Sequence, residues 1–166
     1  MASFFNKANE QLMKLLKSEN GGLKKAKKTM NDSGMKIPIT SNMMTRLLKM
    51  KTEEHKQLKE LTVSFEGSSL CIKGMMNKLF IDIPFEIKLY PIKADKRTLH
   101  FHIHYLKPTN AEWLKKRIFH KPPFMLYQQD SFELDLNQMK KISIIPIGTI
   151  KHFEIKDEKL WVTIGL

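Results

Sequence analysis

Hydrophobic and polar residues alternate along much of the chain after residue 60, and this period of two predicts β-strands. The clearest run is LFIDIPFEIKLY, residues 79–90, in which every odd-numbered position is apolar. Pro84 predicts an edge position or a bulge in this strand, because proline cannot donate a hydrogen bond to a neighbouring strand. The run LHFHIHYL, residues 99–106, alternates as well, and residues 91–97 join the two into a predicted long hairpin.

Shorter alternating segments predict further strands on both sides of this hairpin. The sequence GSS separates residues 61–66 from a second short strand at Leu70 and Ile72, and KDEK is the expected turn between the last two strands. The later predicted strands are residues 131–136, 149–156 and 159–166.

Three segments show instead the spacing of three to four residues that is typical of amphipathic helices. Ser41 is the expected N-cap of the second helix, and Thr109 or Asn110 that of the third, which points Trp113 and Leu114 inward. Helices combined with consecutive strands predict an α+β fold with a largely antiparallel sheet. The three helical segments are residues 3–17, part of residues 36–60, and residues 108–119.

The charge of the chain narrows the choice of partner. The sequence has 29 Lys and Arg against 17 Asp and Glu, and its formal net charge is +12. Such a balance favours nucleic acid, anionic lipid headgroups or acidic proteins. The basic residues cluster in a connector after the first helix and on the third helix: Lys24, Lys25, Lys27 and Lys28, and then Lys115, Lys116 and Arg117.

The first basic cluster follows an amphipathic helix that begins with Phe4 and Phe5. A basic amphipathic segment of this kind can lie in the headgroup layer of a membrane. The alternative is a helix that packs on its own domain. For the second cluster, the alternative is an ordinary solvated helix face.

Several classes of protein lack support in the sequence. Cys71 is the only cysteine, so no internal disulfide can form, and a reducing compartment is expected. No run of about 18 apolar residues predicts a membrane-spanning helix, and the N-terminus lacks the features of a signal peptide. We therefore expect a cytoplasmic protein that can associate with membranes. Motifs for phosphate loops, nucleophile elbows and zinc proteases are absent, so we expect no cofactor and no catalytic residue.

The histidines of LHFHIHYL suggest a metal site at first sight. His100 and His104 are about 13 Å apart on a strand, so one ion could bind His100 and His102 but not all three. If the hairpin turn is centred near Ala94, Glu86 would lie on the same face and could complete a triad. The alternative is a polar sheet face that gains charge as the pH falls toward 6.

The order of the segments carries a family resemblance. The extended segment and helix IPITSNMMTRLLKM precede long alternating strands; a helix with Trp113 follows, and the hairpin GTIKHFEIKDEKLWVTIGL closes the chain. In this order, residues 36–166 resemble the small bacterial members of the tubular lipid-binding (TULIP-type) superfamily. The resemblance implies a single α+β domain with a long, curved, mostly antiparallel sheet wrapped on helices, and an apolar groove for acyl chains. Residues 1–35 would form an N-terminal amphipathic helix and a basic connector.

The methionine content fits such a groove, because methionine adapts to irregular apolar cavities. The alternative at each position is ordinary core packing. The candidate groove residues are Met43, Met44, Leu47, Met75, Met76, Trp113, Phe124 and Met125.

We therefore expect a non-enzymatic peripheral membrane protein that holds an acyl chain in this groove. Its basic N-terminal segment would contact anionic lipid, the expected partner. One alternative is a nucleic-acid-binding protein that uses the same lysines. The other is a structural protein that binds a partner through its histidine face.

Overall fold

A computed structural model describes residues 34–166, which form nine strands and three α-helices. The predicted helix at residues 3–17 and the first basic cluster lie outside the described residues. In chain order the elements are β1 Met35–Thr40, α1 Ser41–Thr52, β2 Leu58–Glu66, β3 Ser69–Lys78, β4 Ile81–Asp95, β5 Thr98–Lys107, α2 Glu112–Phe119, β6 Met125–Gln128, β7 Ser131–Asp135, a 3-10 turn Leu136–Gln138, α3 Lys140–Ser143, β8 Thr149–Lys156 and β9 Lys159–Gly165.

The strands form two sheets in which every pairing is antiparallel. Six strands pair in the order β2-β3-β4-β5-β7-β6, and three pair in the order β1-β9-β8. The prediction of an α+β fold with a mostly antiparallel sheet is therefore confirmed. Strand β6 was not predicted, because its four residues are too few to show a period.

The core contains the inward residues of both sheets and one face of each of the two longer helices. Ile87 and Phe101 are fully buried in the larger sheet, and Leu160 in the smaller one. Leu48 of α1 and Ile118 of α2 pack into the same core. The helices and both sheets thus share one hydrophobic cluster.

Both predicted helix starts were wrong by a small amount. The N-cap of α1 is Thr40 rather than Ser41, and its hydroxyl oxygen accepts a hydrogen bond from the Met43 backbone N–H at 3.3 Å. The N-cap position of α2 is Ala111, which has no side-chain oxygen to cap the helix. At α1 the adjacent residues Thr40 and Ser41 can both serve as a cap, whereas α2 begins without any side-chain cap, so polar residues do not mark its start.

The hairpin of β3 and β4 turns at Leu79 and Phe80, which the sequence had placed inside a strand. Lys78 pairs with Ile81, so the loop has only two residues, and both have positive φ, +51° and +68°. The prediction for Pro84 is confirmed. Strand β5 begins to pair with β4 only at Glu86, so among the described strands Pro84 has β3 as its single neighbour.

Candidate functional site

The three histidines of β5 do not form a site with Glu86. The turn lies at residues 96–97 rather than near Ala94, and His100 pairs with Lys93 across the hairpin. Glu86 lies farther along β4, opposite Lys107. A bulge at His104 shifts the register further, because Tyr105 pairs with Lys88 while Ile103 pairs with Leu89.

Glu86 has other partners. Its Oε1 accepts a hydrogen bond from the Tyr105 hydroxyl at 2.6 Å, and its Oε2 lies 3.6 Å from the Lys73 ammonium. The Tyr105 hydrogen bond lowers the pKa of Glu86. The proposed triad of His100, His102 and Glu86 is therefore wrong. Within residues 34–166 no three His, Cys, Asp or Glu side chains are grouped closely enough to hold a metal ion.

The histidines form a polar outer face instead. His102 and His104 are exposed, and the ring of His104 meets Tyr90 edge-on with 5.6 Å between ring centres. His100 is partly covered, with its Nδ1 3.4 Å from Glu133 Oε1 on the neighbouring strand β7. This arrangement agrees with the simpler interpretation of the alternating pattern.

Lys115 is not part of an exposed basic cluster. Its side chain is fully buried, and its Nζ lies 2.6 Å from Glu112 Oε1 and 2.8 Å from Asp130 Oδ1. The other Glu112 oxygen accepts a hydrogen bond from the Tyr127 hydroxyl at 2.6 Å. The prediction that Lys115 contacts anions at the surface was therefore wrong. Lys116 is exposed and Arg117 half-buried, so these two keep access to solvent.

The protonation of this network follows from its contacts. Burial by itself would lower the pKa of Lys115, but the hydrogen bonds to Asp130 and Glu112 raise it above the ordinary lysine value. The same ammonium lowers the pKa of both carboxyl groups. Burial, followed by the hydrogen bond to Glu112, raises the pKa of Tyr127 to about 12. All four groups therefore keep their ordinary charge states at neutral pH.

The structure brings together half of the predicted groove residues. Met44 and Leu47 of α1 and Phe124 and Met125 near β6 line an apolar cavity between helix and sheet. This cavity has a volume of about 20 Å³, which is room for about one water molecule. An acyl chain could enter only if α1 moved away from the sheet.

The other predicted groove residues lie elsewhere. Met43 is half-buried at the start of α1, and Met75 and Met76 point to opposite faces of β3. Trp113 is 38% exposed and points outward, because the buried face of α2 contains Leu114, Lys115, Ile118 and Phe119.

The most unusual surface feature is the turn between β3 and β4. Leu79 is 82% exposed, Phe80 99% and Ile81 64%. We call these three residues the hydrophobic tip. A two-residue turn with positive φ at both positions favours Asn-Gly, and large side chains are strained there. The sequence thus places two large apolar side chains where local stability favours small polar ones.

Trp113 lies beside the strand that leads to the tip. The Lys78 ammonium is 5.4 Å from the centre of the Trp113 ring, and the Arg117 guanidinium is 5.5 Å from it. At the base of the tip, Asp82 accepts a hydrogen bond from Asn77 at 2.6 Å, and Lys59 lies 3.5 Å from the same oxygen. The exposed indole of Trp113 therefore contacts two cations, Lys78 and Arg117, and Lys78 directly precedes the tip. The sequence predicts Trp113 and Arg117 as candidate site residues, but it does not predict the exposed tip.

Comparisons of this chain with protein-family models, with curated proteins and with solved structures found no match. In the described part of the chain, none of the helices is both long enough and apolar enough to cross a bilayer.

Proposed function

We propose that this protein binds peripherally to anionic membranes by inserting its hydrophobic tip into the headgroup layer. The observation that carries the proposal is the exposure of Leu79 and Phe80 at a turn whose backbone disfavours them. Scattered single apolar residues are normal on protein surfaces. Three consecutive ones at the end of a hairpin form a local apolar patch that a membrane can bury.

The energy of insertion indicates which lipids should matter. Burying one large apolar side chain contributes about 1.5–3 kcal/mol, so Leu79 and Phe80 together supply about 3–6 kcal/mol. Against the entropy of association, this is enough only for weak binding. Each lysine or arginine near an anionic surface adds about 1 kcal/mol. The proposal therefore requires a basic surface next to the tip and predicts a preference for anionic lipid.

Lys78, Trp113 and Arg117 supply that surface. Tryptophan favours the membrane–water interface because its ring is apolar while its N–H needs a polar partner. Lys78 and Arg117 both lie over this ring, and Lys78 directly precedes the tip in the chain. Insertion of the tip would bring Lys78, which directly precedes it, to the headgroup layer.

The sequence adds two supporting arguments. The basic connector with Lys24, Lys25, Lys27 and Lys28 follows a helix that the sequence predicts to begin near Phe4 and Phe5, and it is expected to add electrostatic attraction. The resemblance to tubular lipid-binding domains favours a lipid partner over nucleic acid. Surface binding does not require storage of an acyl chain, and the apolar cavity of about 20 Å³ has no room for one.

Co-sedimentation with vesicles tests the proposal. The full chain should sediment with vesicles that contain phosphatidylglycerol and should remain in solution with pure phosphatidylcholine. In a Trp161→Phe variant, Trp113 is the only tryptophan left, and its emission should shift to shorter wavelength on binding. Failure to sediment with either vesicle would refute membrane binding. A nucleic-acid mobility shift that collapses with added salt would then support the alternative partner.

A further inference from the structure

A basic cleft opens between the end of α1 and the end of α2, next to Trp113. Six nitrogen-bearing side chains line it, and its volume is about 710 Å³. Arg117 belongs both to this cleft and to the Trp113 contact, so the cleft borders the exposed indole of Trp113. The six residues, which we call the basic cleft, are Lys51, His55, Lys116, Arg117, His120 and Lys121.

The positive charge of the basic cleft is not balanced by the protein that surrounds it. Within the part of the chain that the structure describes, Glu54 is the only acidic residue that lines it. Among residues 34–166, no ion pair joins any of the six to a carboxylate. By contrast, Lys115 of α2, which is not in the cleft, forms ion pairs with two carboxylates. Four permanent cations therefore face one carboxylate in a shared concave space.

Two of the cleft residues are packed directly against each other. Lys121 Nζ and His55 Nε2 are in hydrogen-bond contact. Burial, and then the charges of Lys121 and Arg117, lower the pKa of His55, while Glu54 raises it. Burial also lowers the pKa of Lys121, with a further contribution from Arg117. The charges of Lys121 and Arg117 thus repel each other, and a bound anion would offset this repulsion.

Helix dipoles explain only part of the cluster. Lys51, Lys116 and Arg117 lie in the last turns of their helices, where a cation gains about 0.3–1 kcal/mol. His55 and Lys121 follow the helices and are not in their last turns. Their contact joins the two chain segments across the cleft and requires a different explanation.

We infer that the basic cleft binds a phosphate monoester group. A phosphate monoester carries a charge of about −1.5 to −2 at neutral pH, which suits four cations opposed by one carboxylate. Arginine can bind two phosphate oxygens with its planar fork, and lysines bind as point charges. The volume is within the range of small-molecule sites.

Phosphate monoesters occur both in lipid headgroups and in free small molecules. The lipid source rests on the proposed membrane function, because the cleft would meet headgroups only when the tip is inserted. Binding of a free phosphate monoester does not depend on the membrane function. The experiments below therefore use one soluble probe and one membrane probe.

The soluble probe is inorganic phosphate, measured by calorimetry and by NMR titration of the histidines. Phosphate should raise the pKa of His55, because its negative charge offsets Lys121 and Arg117. A Lys116→Gln/Lys121→Gln variant should lose about tenfold or more in affinity, since charged hydrogen bonds are lost. Lys151→Gln removes one exposed charge from β8 and should leave affinity unchanged. Equal phosphate affinity of the wild type and the double variant would overturn the inference.

The membrane probe compares phosphatidic acid, a monoester, with twice the mole fraction of phosphatidylglycerol, a diester, so that vesicle charge is similar. The wild type should bind the phosphatidic acid vesicles more tightly, and the double variant should lose this preference yet still bind both. A wild type without any preference would exclude the lipid source. If neither vesicle is bound, the membrane proposal fails, and the phosphate titration alone then decides whether the cleft is an anion site.

Discussion

Lys115 Nζ lies 2.8 Å from Asp130 Oδ1, and this contact holds a fully buried ammonium beneath the surface of α2. Asp130 comes from the turn between β6 and β7, fifteen residues along the chain. The pair therefore ties the helix to the end of the larger sheet. Of the three consecutive basic residues of α2, Lys115 is therefore structural, while Lys116 and Arg117 keep access to solvent.

This arrangement predicts an order of stabilities. Lys115→Met removes a buried charge together with its ion pairs, so the free energy of unfolding should change by no more than about 1 kcal/mol. Glu112→Gln/Asp130→Asn leaves the buried ammonium without a counter-charge and should lower the melting temperature more than Lys115→Met does. Thermal melts of the three proteins at neutral pH measure this order. The reverse order would show that the lysine is not held by its carboxylates.

The same carboxylates predict a loss of stability in acid. Hydrogen bonds from Lys115 lower the pKa of Glu112 and of Asp130, so the folded state binds fewer protons than the unfolded chain. Their contribution is complete above the ordinary carboxyl pKa of about 4 and is lost as the pH falls through the lowered values. Denaturant melts from pH 6 to pH 2 should show a shallower decline in Glu112→Gln/Asp130→Asn than in the wild type. Parallel declines would contradict this account.

The histidine face predicts that zinc has no effect on stability. Among the described residues, no carboxylate or cysteine joins two of its histidines, and Glu133 contacts only His100. Thermal melts with and without zinc should therefore give the same midpoint. A large rise with zinc, lost in His100→Asn/His102→Asn, would show that the strand register differs from the one described.

The apolar cavity predicts that the purified protein carries no acyl chain. A volume of about 20 Å³ is far below the range of about 300–1,000 Å³ found for ligand sites. Lipid extraction followed by mass spectrometry should therefore give a blank. A co-purified chain would show that α1 can separate from the sheet, as the sequence resemblance implies.

Much of the sheet could be predicted from the sequence, because alternation assigns each strand residue to a face. The same alternation also indicates the turn between β3 and β4 that was not predicted. In β3 the inward residues are even-numbered, as at Ile72 and Met76, whereas in β4 they are odd-numbered, as at Phe85 and Ile87. A continuous strand keeps its parity, so the change marks a two-residue turn. This turn was not predicted because neither Leu79 nor Phe80 is a typical turn residue.

The site was harder to predict because its residues meet only in three dimensions. The partner of Lys115 that lies beyond its own helix comes from a strand turn, and the contact of His55 with Lys121 joins residues 66 positions apart. Only the spacing of Glu112 and Lys115, three residues apart on one helix, was visible in advance. Charge runs alone could not distinguish the buried lysine from its exposed neighbours.

The hydrophobic tip predicts opposite effects of one variant on stability and on binding. Leu79→Asn/Phe80→Gly installs the residues that a turn with two positive φ values favours, so the melting temperature should stay the same or rise. The variant also removes the two exposed side chains that would enter the membrane. Ile92→Asn is the matched control, because Ile92 is 55% exposed near the other end of β4.

The most direct test of the central claim is co-sedimentation of these three proteins with phosphatidylglycerol-containing vesicles. We predict that the wild type and Ile92→Asn sediment to the same extent, while Leu79→Asn/Phe80→Gly stays in solution although it is folded and at least as stable. Undiminished sedimentation of the tip variant would contradict the claim that this hairpin is the membrane-binding element.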